Sequence, residues 1–175
     1  MEPRPASFSA VTMAQMVLPN MTNPAGRMHG GEVMKLMDSA AGVVAQRHSL
    51  CNVVTAYVNQ LTFKEPIFVG DLVFCKAELI YTGRTSMEVY VRVEVENLSR
   101  GETKHALDGY FVMVALDRNG RPTPVPPLLL ETEEQKIRFE EARLRVEQSR
   151  KEAAREVQKS YPAISQSAGV EQNGS

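Results

Sequence analysis

The sequence predicts an α+β fold, with one long central helix wrapped by a curled antiparallel sheet of five to six strands and a further helix at the C-terminus. Three observations predict it. Residues 87–95 set Met87, Val89, Val91, Val93 and Val95 on one parity against Glu88, Tyr90, Arg92 and Glu94 on the other, the alternation of a half-buried strand. Residues 30–48, "GGEVMKLMDSAAGVVAQRH", are too long for a strand and carry their polar residues at helical spacing. One strand precedes this helix and four follow it without interruption, an order that favours an antiparallel sheet with the helix packed on it.

The first strand lies within "FSAVTMAQMVL", residues 8–18, as an edge. In the helix, Glu32, Lys35, Ser39 and Gln46 share one narrow stripe at about 100° per residue, opposite Val33, Met37, Ala40 and Val44. A helix so apolar around its circumference is expected to be largely buried, with Ala40, Ala41, Gly42 and Ala45 admitting a close backbone neighbour. "NVVTAYVNQLTF", residues 52–63, is a β-branched run. Residues 73–79 alternate Val73, Cys75, Ala77 and Leu79 with Phe74, Lys76 and Glu78, and "TGRTS" at 82–86 joins them to the 87–95 strand as a hairpin. A second reversal at 97–102, "NLSRGE", leads into 105–116.

These elements form one domain over residues 1–120. Residues 121–130 hold the prolines of a surface linker in which regular sheet pairing is not expected. Residues 131–159 read as a charged, mostly solvated helix, opened by Thr132 and Gln135 at capping-box spacing and carrying Ile137 and Leu144 seven apart. Residues 160–175, small and polar, read as a disordered tail.

Composition narrows the function. With 175 residues, 43% hydrophobic and 23% charged, the chain has an ordinary globular mixture, and 20 basic against 21 acidic residues leave no electrostatic footprint for nucleic acid or an anionic membrane. The start has neither the basic region nor the apolar core of a secretory signal, and no run of about 18 apolar residues occurs, so a cytoplasmic protein is expected. Cys51 and Cys75 lack metal-ligand spacing and read as small hydrophobes in a reducing compartment. There is no GxGxxG, Walker loop or GxSxG, which leaves dinucleotide, nucleoside-triphosphate and serine-hydrolase readings unsupported.

The residues that could carry chemistry cluster in "NPAGRMHGGEVMKLMD", 23–38. Asp38 borders the buried side of the helix, where a carboxylate must be paired, hydrogen-bonded or raised in pKa. Gly30 and Gly31 open that helix, whose first N–H groups lack intrahelical partners and can hold an oxyanion. His29 is an acid or base by type. Asn23 offers an amide donor and acceptor, and Pro24 biases it to extended backbone. In the hairpin tip, Gly83, Arg84, Thr85 and Ser86 suit a phosphate.

Three segments together, "NPAGRMHGGEVMKLMDSAAGVVAQRH", "VVTAYVNQLTFKEPIFVGDLV" and "YTGRTSMEVYVRVEVENL", resemble the hotdog-fold acyl-CoA thioesterases of the cytosolic acyl-CoA hydrolase family, over roughly residues 8–118. The resemblance implies hydrolysis of fatty acyl-CoA to free fatty acid and coenzyme A, with no metal or cofactor. It implies that Asp38 is the catalytic carboxylate, as base or nucleophile, that Asn23 positions the thioester or the water, and that Thr55 lines the same site. His29, Gly30 and Gly31 would bind the thioester end. Gly83, Arg84, Thr85, Ser86 and, more weakly, Arg92 would contact the nucleotide. Sites lie across a dimer interface in this family, so Asn23 of one subunit would face Asp38 of the other, and three dimers would form a hexamer. The long C-terminal segment sets this chain apart from many relatives. A hotdog dehydratase, which would place a histidine in the loop, and a non-catalytic acyl-CoA sensor are the alternatives.

Overall fold

The computed structural model describes residues 1–160, and the expected disordered tail lies outside the described residues apart from Ser160. The sheet is built from β2 (Val11–Met16), β3 (Asn52–Phe63), β4 (Leu72–Thr82), β5 (Ser86–Asn97) and β6 (Glu102–Leu116). Its order is β2-β4-β5-β6-β3, antiparallel throughout. The expected first strand is shorter than its apolar run, because Ala6–Phe8 coils into a 3-10 turn, and it forms one edge as expected. β3 forms the other.

Helix α1 (Gly30–Ser49) lies across the inner face, where Val33, Met37, Ala40, Ala41, Val44 and Ala45 meet Val73, Cys75, Leu79, Val89, Val91, Val93 and Phe111. This apolar contact is the main source of stability, at about 25 cal/mol for each Å² removed from water. Gly109 on β6 lets the helix settle, since a Cβ there would lie 3.0 Å from Met37 Cε and 2.9 Å from Leu61 Cδ1. The expectation of a largely buried helix holds only for this side. Met34 and Asp38 are exposed, because within one chain nothing covers the face toward the β3 edge, and Lys35 of the expected polar stripe is exposed as well.

The largest departure concerns the C-terminal helix α2 (Glu133–Ser160). Its capping box forms as expected: the Gln135 N–H donates to Thr132 Oγ1 (3.2 Å) and the Thr132 N–H to Gln135 Oε1 (3.2 Å). The helix is not mostly solvated, however. It crosses the outer face of the sheet, packing Phe139, Ala142 and Val146 on Ile80, Tyr81, Tyr57, Tyr110 and Val112. Ile137 and Leu144, the expected apolar seam, are 60% and 58% exposed. The side chains at 88 and 90 therefore face a helix rather than water, and Glu88 is fully buried, with Arg145 Nη2 2.9 Å from its Oε2. The linker also differs from expectation. Its last residues form β7 (Leu128–Leu129), which pairs in parallel with β1 (Arg4–Pro5), a pairing too short for the prolines before it to obstruct.

Cys75 is buried and its thiol is pushed up to about 12 by burial, an inert hydrophobe as expected; Cys51 is only half-buried. His48, in the last turn of α1, is fully buried, and its Nε2 lies 3.0 Å from the Pro126 carbonyl, to which it must donate. Nδ1 has no partner among the described residues, and burial lowers the imidazole pKa below its ordinary 6.5. The unfolded chain then takes up a proton at 6.5 that the folded chain refuses, so stability falls as pH drops through this range. Urea unfolding at pH 7.5 and pH 5 is expected to show a larger loss for the wild type than for His48→Gln, which keeps an amide donor for Pro126 but cannot titrate.

Candidate active site

The site grows from a bulge in β3. Thr55 pairs with Met113 and Tyr57 with Val112, so two residues of β3 oppose one step of β6 and Ala56 is the extra residue. The bulge reverses the strand's parity. Thr55 stays on the inner face with α1, whereas Tyr57 and Asn59 turn to the outer face beneath α2. On the inner face the Thr55 hydroxyl donates to Asp38 Oδ1 at 2.6 Å, and Met113 Sδ lies 3.5 Å from Thr55 Oγ1. The expected pair thus meets in one chain, but in an exposed setting rather than at a buried border. One carboxylate oxygen is held by Thr55, and among the described residues Oδ2 accepts no hydrogen bond.

Asn23 does not join them. Its Oδ1 accepts from the Ala25 N–H (3.0 Å) and the Arg27 N–H (3.2 Å), an Asx turn completed by Gly26 at φ 73°. The side-chain carbonyl is therefore spent on the loop, and the Nδ2 amide is what remains for a ligand. Asn23 lines a cleft of about 370 Å³ with Gly30, Val33 and Phe63, and Asp38 is not among its walls. Eight helical residues, about 12 Å, separate Gly30 from Asp38 along α1.

At the helix start the Glu32 and Val33 N–H groups both turn back to the His29 carbonyl (2.9 and 3.3 Å). The N–H groups of Gly30 and Gly31 have no acceptor among the described residues and point out of the helix end with its positive dipole. His29 is the exposed, extended N-cap residue and caps the helix with no side-chain bond.

The hairpin tip departs from expectation at Ser86. Its hydroxyl is buried at 2% exposure and accepts from Arg150 Nη2 of α2 (2.8 Å), which withdraws it from any phosphate. Gly83 is needed there, because a Cβ would sit 2.9 Å from Ser86 Oγ. The main chain at Arg84 and Thr85 is also engaged, their carbonyls accepting from the N–H groups of Val125 and Ala115 (3.0 Å each), while the Arg84 side chain is exposed. Arg92 lies on the outer face with Nε 3.1 Å from Glu94 Oε1, already paired. Sequence reasoning missed the roles of Tyr57 and Asn59 beneath α2 and of Arg145 on it, for which no signal exists without knowing where that helix lies.

A central helix clasped by an antiparallel sheet, with an Asp on the helix bonded to a Thr on the edge strand, is the hotdog architecture with a polar site at its open edge. The family model described as the thioesterase superfamily matches residues 25–102. The chain is 43% identical over 128 residues to an uncharacterized acyl-CoA thioester hydrolase of Zymomonas mobilis, covering 71% of this chain and 82% of that protein. It is 38% identical over 144 residues to the cytosolic acyl coenzyme A thioester hydrolase of Rattus norvegicus, 81% of this chain but 38% of that protein, so it spans well under half the length of its mammalian relatives. An apo-hexameric acyl-CoA thioesterase superposes with a TM-score of 0.82 at 39% identity over 88% of this chain and 99% of that one. The acyl-CoA hydrolase of Staphylococcus aureus, in complex with butyryl coenzyme A, coenzyme A and coenzyme A disulfide, does so with 0.81 at 31% over 89% and 95%. Three mutants of that hydrolase, each with one Asp, Asn or Thr replaced by alanine, are similar at 30% identity. This chain belongs to the acyl-CoA thioester hydrolase family of the thioesterase superfamily. An alignment over 88% of the chain extends into α2.

Proposed function

We propose that the chain hydrolyses fatty acyl-CoA to a free fatty acid and coenzyme A, in the cytoplasm, at sites shared between two subunits. The observation that carries this is the 2.6 Å hydrogen bond from Thr55 to Asp38. It fixes a carboxylate with one oxygen left to take a proton from water. The carbonyl carbon becomes tetrahedral as that water adds, and the developing oxyanion needs donors already in place; the Gly31 N–H and Asn23 Nδ2 supply them. Collapse expels the thiolate of coenzyme A. His29 and Gly30 flank the thioester, and Arg84, with Gly83 and Thr85, is left for the nucleotide end.

Support for the shared site comes from the uncovered β3 edge. Val54, Val58 and Phe63 are exposed along it, beside exposed Met34 and Asp38, and such an edge is where a second copy adds by a two-fold operation. Because Asn23 and Asp38 of one chain stand apart, the pairing of one chain's Asn23 with the other's Asp38 makes each site complete, and three such dimers give a hexamer. The three residues replaced in the S. aureus mutants have the sequence spacing of Asn23, Asp38 and Thr55, fifteen and then seventeen positions. A thiol-release assay over acyl-CoAs of increasing chain length tests the reading. Turnover is expected to fall by about 10²-fold or more in Asn23→Ala, as for loss of one oxyanion donor. Unchanged turnover in that variant would remove Asn23 from the site.

A further inference from the structure

We propose that Arg27 is a phosphate contact for coenzyme A, reached from the thioester along the cleft at the start of α1. The inference rests on the hydrolase reading and adds a residue to it. That cleft begins at Gly30 and Asn23 and carries two cations, Arg27 and Lys64, on its walls with a single carboxylate, Glu65.

The two cations differ in availability. Lys64 Nζ lies 2.5 Å from Asp108 Oδ2 and 3.4 Å from His105 Nδ1, and Asp108 Oδ1 also accepts from the Tyr90 hydroxyl (2.6 Å) and from His105 Nε2 (2.7 Å). That lysine, just past the end of β3, is already spent in a network with β5 and β6. Arg27 has no carboxylate partner among the described residues. Its backbone, by contrast, is held firmly: the N–H donates to Asn23 Oδ1 (3.2 Å), the carbonyl accepts from the Asn23 N–H (2.8 Å), and the residue bridges to Phe68. An exposed guanidinium on a fixed backbone, opening on a ligand cleft, is suited to a bidentate grip on a phosphate.

Distance agrees with this assignment. Met28 and His29 run extended between Arg27 and the helix, Met28 bridging to Thr22 and His29 at ψ 131°, while Gly30 and Gly31 are already helical, so Arg27 and Gly31 lie closer than the about 13 Å of four fully extended residues. A guanidinium turned along the cleft, away from the helix start, would add its own side-chain length to that separation and leave room for a pantetheine arm between the two. A thioester carbonyl at Gly31 would then lay the arm along the cleft and bring a phosphate to Arg27. The hairpin tip cannot do this with Ser86, which Arg150 has closed.

The test compares an acyl-CoA with the matching S-acyl pantetheine, which lacks every phosphate. Arg27→Ala is expected to raise KM for the CoA ester about tenfold, the loss of a charge-assisted bond, with kcat unchanged. Activity on the pantetheine ester should stay within about twofold, and Arg27→Lys should recover part of the lost KM. An unchanged KM for the CoA ester, or an equal loss on both esters, would overturn the assignment. If the wild type hydrolyses neither ester, the hydrolase reading fails, and calorimetry with free coenzyme A decides Arg27 separately. Weaker binding by Arg27→Ala then supports it, and equal binding overturns it.

Discussion

Asp38→Asn is expected to lower kcat on acyl-CoA by about 10³, the scale of a lost general base, with KM little changed. The amide keeps the shape of the carboxylate, and its oxygen can still accept from the Thr55 hydroxyl that now sits 2.6 Å away. The substitution therefore removes basicity and leaves the position. Thr55→Val should lose less, because it frees the carboxylate without neutralising it. If Asp38→Asn retained full turnover, the chemistry would have to come from another group, and His29 at the helix start would be the next to replace. A single turnover in H₂¹⁸O then looks for nucleophilic attack: label in the fatty acid alone is expected of a base, while ¹⁸O in the Asp38 carboxyl, with an enzyme oxygen carried off in the fatty acid, would show that the carboxylate attacks the thioester.

What could be read in the sequence, and what could not, follows from how each element announces itself. The 87–95 alternation and the helical spacing of 30–48 are local periodicities, so β5 and α1 were legible to within a few residues. The β3 bulge is different. "NVVTAYVNQL" carries no glycine to mark it, yet Ala56 breaks the parity and Gln60 adopts φ 48°. Its consequence, Thr55 and Tyr57 on opposite faces, is a tertiary fact: α1 holds one and α2 the other. The seam of α2 was hidden for a related reason. Ile137 and Leu144 stand seven apart at the spacing of an apolar stripe, but the contact is made by Phe139, Ala142 and Val146, which pack on the tyrosines of the outer face. For the site, Asp38 and Asn23 stood out by position and residue type and took their roles from resemblance, whereas Thr55 came from resemblance alone. Only coordinates could show that Asn23 has its carbonyl bound to the loop and that Ser86 is closed by Arg150.

Arg145→Met is expected to cost about 3 kcal/mol of stability, because it strands a buried charge. Glu88 has 0% exposure, and its Oε1 has no partner among the described residues, so the Arg145 guanidinium is what makes the carboxylate tolerable under α2. Burial already pushes the Glu88 pKa above its ordinary 4.5, with the Arg145 hydrogen bond and charge opposing that rise. Without the arginine only Asn59 is left to oppose the rise, and folding favours the protonated group. A folded pKa above the unfolded one gives a contribution that is full below 4.5 and lost as pH rises through the folded value. The variant should therefore lose more stability relative to wild type at pH 8 than at pH 5, as urea unfolding would show. Glu88→Met in the same chain should restore most of the loss, since an apolar pair of similar volume removes the desolvation penalty altogether. A pH-independent loss that the second substitution fails to repair would mean that Arg145 acts through its stacking on the Tyr110 ring, 4.3 Å from the guanidinium carbon, rather than through Glu88.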